Sequence, residues 1–225
     1  MKKISHILII FLLLIFVPCT KGQEVQRIMV YKDGNASYTA ILNSSDSITF
    51  SKVTGVLVNG VLWAHCNVNT PGTFASQPYE LGKFYQWNRR KGWASTGQYP
   101  GGTWDTSTPT GNTWEKVNDP CPRGWRAPTR AELDSLINSG SFWGELNGVS
   151  GRFFGNGDQK LFFPAAGLRQ YNNGWLYYAG THGAYWSWQA WVGTSSSYYM
   201  EFTSEYAYSP SQFRTTGMMV RCVAQ

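Results

Sequence analysis

Thr129-Arg130-Ala131-Glu132-Leu133-Asp134-Ser135-Leu136-Ile137-Asn138-Ser139-Gly140 is the stretch on which the fold class turns. A threonine three residues before a glutamate has capping-box spacing, in which hydroxyl and carboxylate each satisfy a free backbone N–H at a helix start. Leu133, Leu136 and Ile137 then make an apolar stripe at i, i+3, i+4. Gly140 suits a C-terminal stop. Outward from this helix the pattern changes. Val56 to Trp63 (VLVNGVLW) reads as a hairpin turning at Asn59-Gly60. Residues 88–118, rich in Gly, Thr, Ser, Trp and Pro, read as a long irregular loop region. Downstream come short strand candidates: Arg152 to Phe154, Lys160 to Phe163, Tyr185 to Trp188, Tyr198 to Phe202 and Met218 to Val223. One helix among many short strands predicts an α+β domain.

The chain has 225 residues, enough for one sizeable domain and a short appendage. Aromatic residues make up 16% and charged residues only 14%, which excludes a disordered, coiled-coil or collagen-like chain. Residues 24–52 read as a small β-rich lead-in: Ile28-Met29-Val30-Tyr31 is apolar, Asp33-Gly34 is a turn signal, and Tyr38 to Leu42 and Ser47 to Phe50 alternate enough to pair. The division expected is a signal at 1–22, a lead-in at 23–52 and a ligand-binding domain at 53–225.

Lys2 and Lys3 precede eleven apolar residues, Ile7 to Val17, the n- and h-regions of a secretory signal peptide and too few to span a bilayer. Gly22 offers a cleavage point. A lipoprotein acylated at Cys19 is the rival reading, disfavoured because Pro18 stands where a small residue is wanted. The protein is expected at the cell surface or secreted, with the periplasm as an alternative and no transmembrane segment in the mature chain. Removing residues 1–22 leaves 16 basic residues against 13 acidic ones. The basic runs Arg89-Arg90-Lys91 and Arg123, Arg126, Arg130 read as solvated surface, so nucleic acid is not an expected partner. Three cysteines remain, and an exported protein tends to pair its thiols. The expected disulfide is Cys121–Cys222, leaving Cys66 free or in an intermolecular bond.

Nothing in the sequence argues for an enzyme. Only His65 and His182 remain in the mature chain, with no metal-binding histidine cluster. His65 and Cys66 are adjacent, so on a strand they point to opposite faces. Glu132 and Asp134, and Glu115 and Asp119, lack any context that would mark a carboxylate pair. Gly155-Asn156-Gly157-Asp158 is oxygen-rich and reads as a turn, with calcium contact the alternative. No cofactor or metal is expected.

From Trp63 onward the order of motifs carries a resemblance. Leu62-Trp63-Ala64-His65-Cys66-Asn67-Val68 is followed by Tyr79-Glu80-Leu81-Gly82-Lys83-Phe84-Tyr85-Gln86-Trp87 and by Asp119-Pro120-Cys121-Pro122-Arg123-Gly124-Trp125-Arg126-Ala127-Pro128-Thr129. Phe162-Phe163-Pro164-Ala165-Ala166-Gly167-Leu168-Arg169, Tyr185-Trp186-Ser187 and Val220-Arg221-Cys222-Val223 complete the series. Over about residues 53–225 this resembles the Fibrobacter succinogenes major paralogous domain, a family of exported bacterial proteins, many from Bacteroidetes, whose fold is similar to C-type lectins. The resemblance implies a C-type-lectin-like domain with few helices, short antiparallel strands and long irregular loops. Its lower half would be fixed by the helix and terminal strands, and its upper loop face would bind ligands. The calcium-dependent sugar motifs are absent, since Gln77-Pro78-Tyr79 lacks the carboxylate. Sulfatase-activating enzymes share the fold and use a cysteine pair, which Cys66 lacks if Cys121 and Cys222 are joined. Some relatives are diversified near the C-terminus by retroelements that randomise adenine-containing codons. Gly167 to Cys222 resembles such a region, in which Gly167-Leu168-Arg169, Gly174-Trp175-Leu176, Gly180, Gly183, Tyr185-Trp186-Ser187 and Arg214 would keep the framework, although Trp175, Trp188, Trp191, Gln170 and Glu205 cannot arise from the asparagine codons typical of a template.

Eight of the 13 tyrosines and four of the 11 tryptophans fall between Leu168 and Phe213. Leu176, Tyr185, Trp186, Met200 and Phe202 lie on framework motifs and are expected in the core. Tyr171, Trp175, Tyr177, Tyr178, Trp188, Trp191, Tyr199, Tyr206, Tyr208 and Phe213 sit among small polar residues or on the opposite strand parity, as Tyr199 and Glu201 do relative to Met200 and Phe202. Rigid amphipathic rings with small polar spacers have the composition of a paratope. These residues and Glu201 are the expected ligand-binding set, for a protein or glycan ligand. Few charges intervene (Glu201, Glu205, Arg169, Arg214), so contact is expected by stacking and hydrogen bonds. A structural or adhesive subunit of a surface assembly is the alternative, and an enzyme related to the sulfatase-activating proteins ranks behind it.

Overall fold

The computed structural model describes residues 26–32, 35–42, 55–156 and 160–225, and the chain divides into two units after Lys52. The signal segment, Cys19, the Asp33-Gly34 turn, the Ser47–Phe50 strand candidate and Asp158 lie outside the described residues. In the first unit β1 (Gln26–Lys32) pairs antiparallel with β2 (Asn35–Leu42), with a register shift between Val30 and Tyr31.

The second unit begins with β3 (Gly55–Val58) and β4 (Val61–Ala64). Asn59 and Gly60 both have positive φ, 48° and 80°, the two-residue turn whose twist matches its strands. The Asn59 side chain donates to Ser135 O at 3.0 Å, tying this hairpin to the helix. β5 (Phe84–Gln86) and β6 (Gly92–Trp93) follow, and then a largely irregular passage to β7 (Trp125–Arg126). α1 (Arg130–Asn138) is the only helix among the described residues. Its capping box is formed as the sequence predicts, and Arg126 reinforces it by a bidentate pair with Glu132 at 2.7 and 2.8 Å. The chain leaves the helix through Ser139 and Gly140, the latter at φ 89°. β8 (Ser141–Leu146) and β9 (Val149–Phe154) form a second hairpin, turning at Asn147-Gly148.

β10 (Leu161–Pro164), β11 (Leu168–Arg169), β12 (Leu176–Tyr177), β13 (Gly183–Ala190) and β14 (Ser196–Phe202) carry the chain into its aromatic-rich half. β15 (Ala207–Tyr208), β16 (Ser211–Phe213), β17 (Gly217–Met218) and β18 (Val223–Ala224) close it. The sheets run β3-β4-β18-β7, β12-β11-β17-β5-β6 and β10-β9-β8. In the fourth, β13 pairs with β14, and both β15 and β16 pair with β14 along its other edge. The domain is α+β, mostly strand.

Alternation on the β13–β14 ribbon divides the core. Tyr185 pairs with Met200, and both pack with Phe154, Phe163, Phe202 and the helix residues Leu133 and Leu136. Trp186 pairs with Tyr199, and both join Tyr85, Trp87, Trp114 and Cys222 in a second cluster. Cys121 and Cys222 form a disulfide with Cα atoms 6.1 Å apart. That bond fits an exported protein, and no helix among the described residues is long and apolar enough to cross a membrane.

Four arginines are buried and touch no carboxylate. Arg221 donates to Asn67 Oδ1 and to the carbonyls of Ala64, His65 and Phe162. Arg152, Arg169 and Arg214 likewise bond backbone carbonyls. Burial pulls all four guanidinium pKa values below their ordinary value. Each fork thus satisfies carbonyls that strand ladders leave open. Arg169 and Arg214 thus point inward, in keeping with the framework motifs they belong to, and are not among the charges at the loop face.

Candidate functional site

Arg169 builds the first part of the aromatic face. Its Nε donates to Ala94 O at 2.8 Å, Nη1 to Gly174 O at 2.7 Å, and Nη2 to Thr96 O and Gly97 O. Trp104 Nε1 donates to Tyr171 O at 3.0 Å, and Leu176 N to Gln98 O. Gly174, at φ 71°, lies so close to the Trp104 ring that a Cβ would come within 2.3 Å of it. These bonds fasten the irregular loop around residues 94–104 to β12. Leu176 then packs inward while Trp175 and Tyr177 on either side stay exposed. Tyr99 joins them, its ring meeting Trp175 edge-on at 5.4 Å. Sequence reasoning missed Tyr99, whose setting in Gly97-Gln98-Tyr99-Pro100-Gly101 carries the same small-residue signal as the chosen tyrosines.

Further groups lie along the chain. Tyr178 has φ 62°, and its ring, 56% exposed, lies 4.5 Å from the His182 ring. Its carbonyl accepts from Thr181 Oγ1 and His182 N, which pins the turn. Tyr171 packs on Phe213 at 4.8 Å. Trp191 stacks on Tyr198, and the Arg130 guanidinium lies 4.2 Å from the Tyr198 ring centre. Tyr206 meets Tyr208 edge-on at 5.2 Å. Glu201 Oε2 accepts from the hydroxyls of both Tyr199 and Tyr208, each at 2.9 Å. Burial, then the bond and charge of Glu201, push the Tyr208 hydroxyl up to about 12.

Of the eleven expected residues, eight are exposed: Tyr171, Trp175, Tyr177, Tyr178, Trp191, Tyr206, Tyr208 and Phe213. Tyr199 is a correction. It is only 5% exposed and packs edge-on against Trp186. Its strand alternates as expected, but the face opposite Met200 and Phe202 is covered by the second aromatic cluster rather than by solvent. Trp188 is half-buried for the same reason and donates Nε1 to Trp114 O. Glu201, half-buried, serves as the acceptor for two phenols.

An open cleft of about 530 Å³ lies between Thr108–Asn112 and Gly193–Ser195, lined by hydroxyls and amides with Arg214 at its base. None of the eleven residues lines it, although Trp191 accepts from Thr194 at its rim. Cys66 is a free thiol. Burial pushes its pKa up and that of the neighbouring His65 down, the reverse of a thiolate–imidazolium pair. Among the described residues no three His, Cys, Asp or Glu side chains are grouped to hold a metal ion. No family model, curated protein or solved structure matches this chain.

Proposed function

We propose that this is an exported, non-enzymatic binding protein with a C-type-lectin-like scaffold, presenting the aromatic residues of positions 168–213, with Tyr99, to a protein or glycan ligand. The observation that carries the reading is Tyr178. A bulky side chain in the left-handed region is strained by about 1–3 kcal/mol, yet its ring is mostly in solvent. Glycine or asparagine would hold the turn with less strain, whereas the tyrosine supplies a ring open to contact beyond its packing on His182. Trp175, Tyr177 and Tyr208 support the same reading, because exposed rings on pinned backbone offer contact area at little further entropy loss.

The test is binding to an array of glycoproteins and their enzymatically deglycosylated forms. Changing Tyr178, Trp175 and Tyr208 together to serine is expected to abolish any signal while leaving the fold intact. Loss on deglycosylation assigns a glycan, and persistence assigns a protein. Retained binding in the triple variant rejects this face. Sequencing residues 160–225 across the source population tests diversification: substitutions at Tyr171, Tyr177, Tyr178, Tyr206 and Tyr208, with Trp186 and Cys222 invariant, are the expected pattern. An adhesive assembly joined through Cys66 instead predicts an oligomer in size-exclusion chromatography that reductant dissolves.

A further inference from the structure

The two basic runs that read as solvated surface converge in the fold. Arg90 from the first and Arg123 from the second line one cleft of about 430 Å³, together with Lys116, Asp119, Trp125 and Gln225. The walls are held by the framework. Arg90 Nη1 donates to Asp119 O at 3.2 Å, Gly72 N donates to Pro120 O, and Cys121 on the wall is bonded to Cys222. A smaller adjoining cleft of about 160 Å³ shares Lys116, Asp119 and Gln225 and adds Arg126 and Trp188.

Arg90, Lys116 and Arg123 have no carboxylate at ion-pair distance within the described residues. Ion pairs join Arg89 to Asp105, Arg126 to Glu132 and Arg130 to Asp134, but none involves Arg90, Lys116 or Arg123. Asp119 is the side-chain carboxylate in the cleft, and its charge interacts with Arg126 and Arg90. Its two oxygens are already engaged by Cys121 N and Ala127 N, and burial pushes its pKa up. Cations held around one concavity raise the local concentration of anions. The geometry also limits what the anion is. A nucleic-acid backbone needs a basic stripe along its length, whereas these three side chains surround a space at the small-ligand end of the pocket range of about 300–1,000 Å³. The half-buried Trp125 indole, fixed edge-on to Phe74, gives that space an apolar wall beside its charges, and Gln225 adds an amide. Apolar surface, amide and cations together match a ring that carries hydroxyls and an acid.

We propose that the Arg90–Lys116–Arg123 cleft binds an anionic saccharide unit, one carrying a sulfate ester or a carboxylate. None of the eleven residues expected at the aromatic face lines the larger cleft, so the proposal does not depend on that face.

The test measures binding of the protein to immobilised dextran sulfate, polygalacturonate, neutral dextran and duplex DNA at physiological salt. Arg123→Glu and Lys116→Glu are compared with Lys160→Glu, an exposed lysine outside the cleft whose reversal changes net charge equally. Each cleft variant is expected to weaken binding to an acidic polysaccharide by about tenfold or more, against less than about twofold for Lys160→Glu. Neither cleft side chain makes a hydrogen bond within the described residues, so unchanged melting temperatures are expected. Preference for dextran sulfate assigns the sulfate ester, and preference for polygalacturonate assigns the carboxylate. Equal losses in all three variants, DNA bound as tightly as either polysaccharide, or no preference over dextran would overturn the proposal. Trp191→Ala, on the aromatic face, is expected to leave this binding unchanged.

Discussion

The β13–β14 ribbon and the edges made by β12, β15 and β16 carry the same residue types to opposite ends. On the ribbon, Tyr185, Trp186 and Tyr199 are buried, and each polar tip has a partner: Pro164 O, Tyr85 O and Glu201. At the edges, Trp175, Tyr177, Tyr208 and Phe213 are exposed, and of the three that have a polar tip only Tyr208 has a side-chain hydrogen bond. What packs on each face decides the difference: the two core clusters cover both faces of the ribbon and so bury both parities, whereas the rings at β12, β15 and β16 lack such cover. The contrast is sharpest within five residues. Trp186 is 0% exposed and Trp191, just past the end of the same strand, is 49% exposed. The ribbon rings stabilise the fold, while the edge rings remain available for contact.

The largest expected effect is on the framework. Breaking Cys121–Cys222, which closes a span of 101 residues, should lower stability by about 5 kcal/mol in the chain-entropy model, read by denaturant unfolding with and without reductant. Trp186→Ala should lower stability by about 4 kcal/mol, and Trp191→Ala by less than about 0.5 kcal/mol. Equal costs for the two would break the contrast between ribbon and edge. Alkaline titration sharpens it. Tyr185, fully buried, is pushed up to about 12, first by burial. A raised folded pKa contributes stability that is present below the ordinary tyrosine value near 10 and lost as pH rises through 12. Unfolding over that window should remove about 3 kcal/mol through Tyr185 alone. The smallest effect carries an opposite sign: Tyr178→Gly should raise stability by up to about 1 kcal/mol, since it relieves the left-handed strain, while weakening ligand binding.

Local signals were the legible ones. The capping box at Thr129 and Glu132, the Asn59-Gly60 turn and the Cys121–Cys222 pair are all legible in the sequence alone. Asn147-Gly148 carries the same hairpin signal and marks the strand Ser141–Leu146, which is not among the sequence-predicted strands. The buried arginines had no local signature. Arg169 and Arg214 fall on framework motifs, but only the fold shows the carbonyls that receive them. Tyr199 failed for a related reason, because alternation gives the parity of a residue and never says what covers that parity.

Residues that act on near neighbours along the chain were therefore determined by the sequence: caps, turns, strand parity and the surplus of aromatic side chains. Which aromatics are walls and which are faces, and which cations meet across a cleft, was decided by tertiary structure. Burial depends on what packs from distant segments, as Trp114 does behind the ribbon and as the 94–104 loop does behind β12. The meeting of Arg90 with Arg123 is of the same kind, since two solvated runs become one site only when the disulfide-tied framework brings their backbones together.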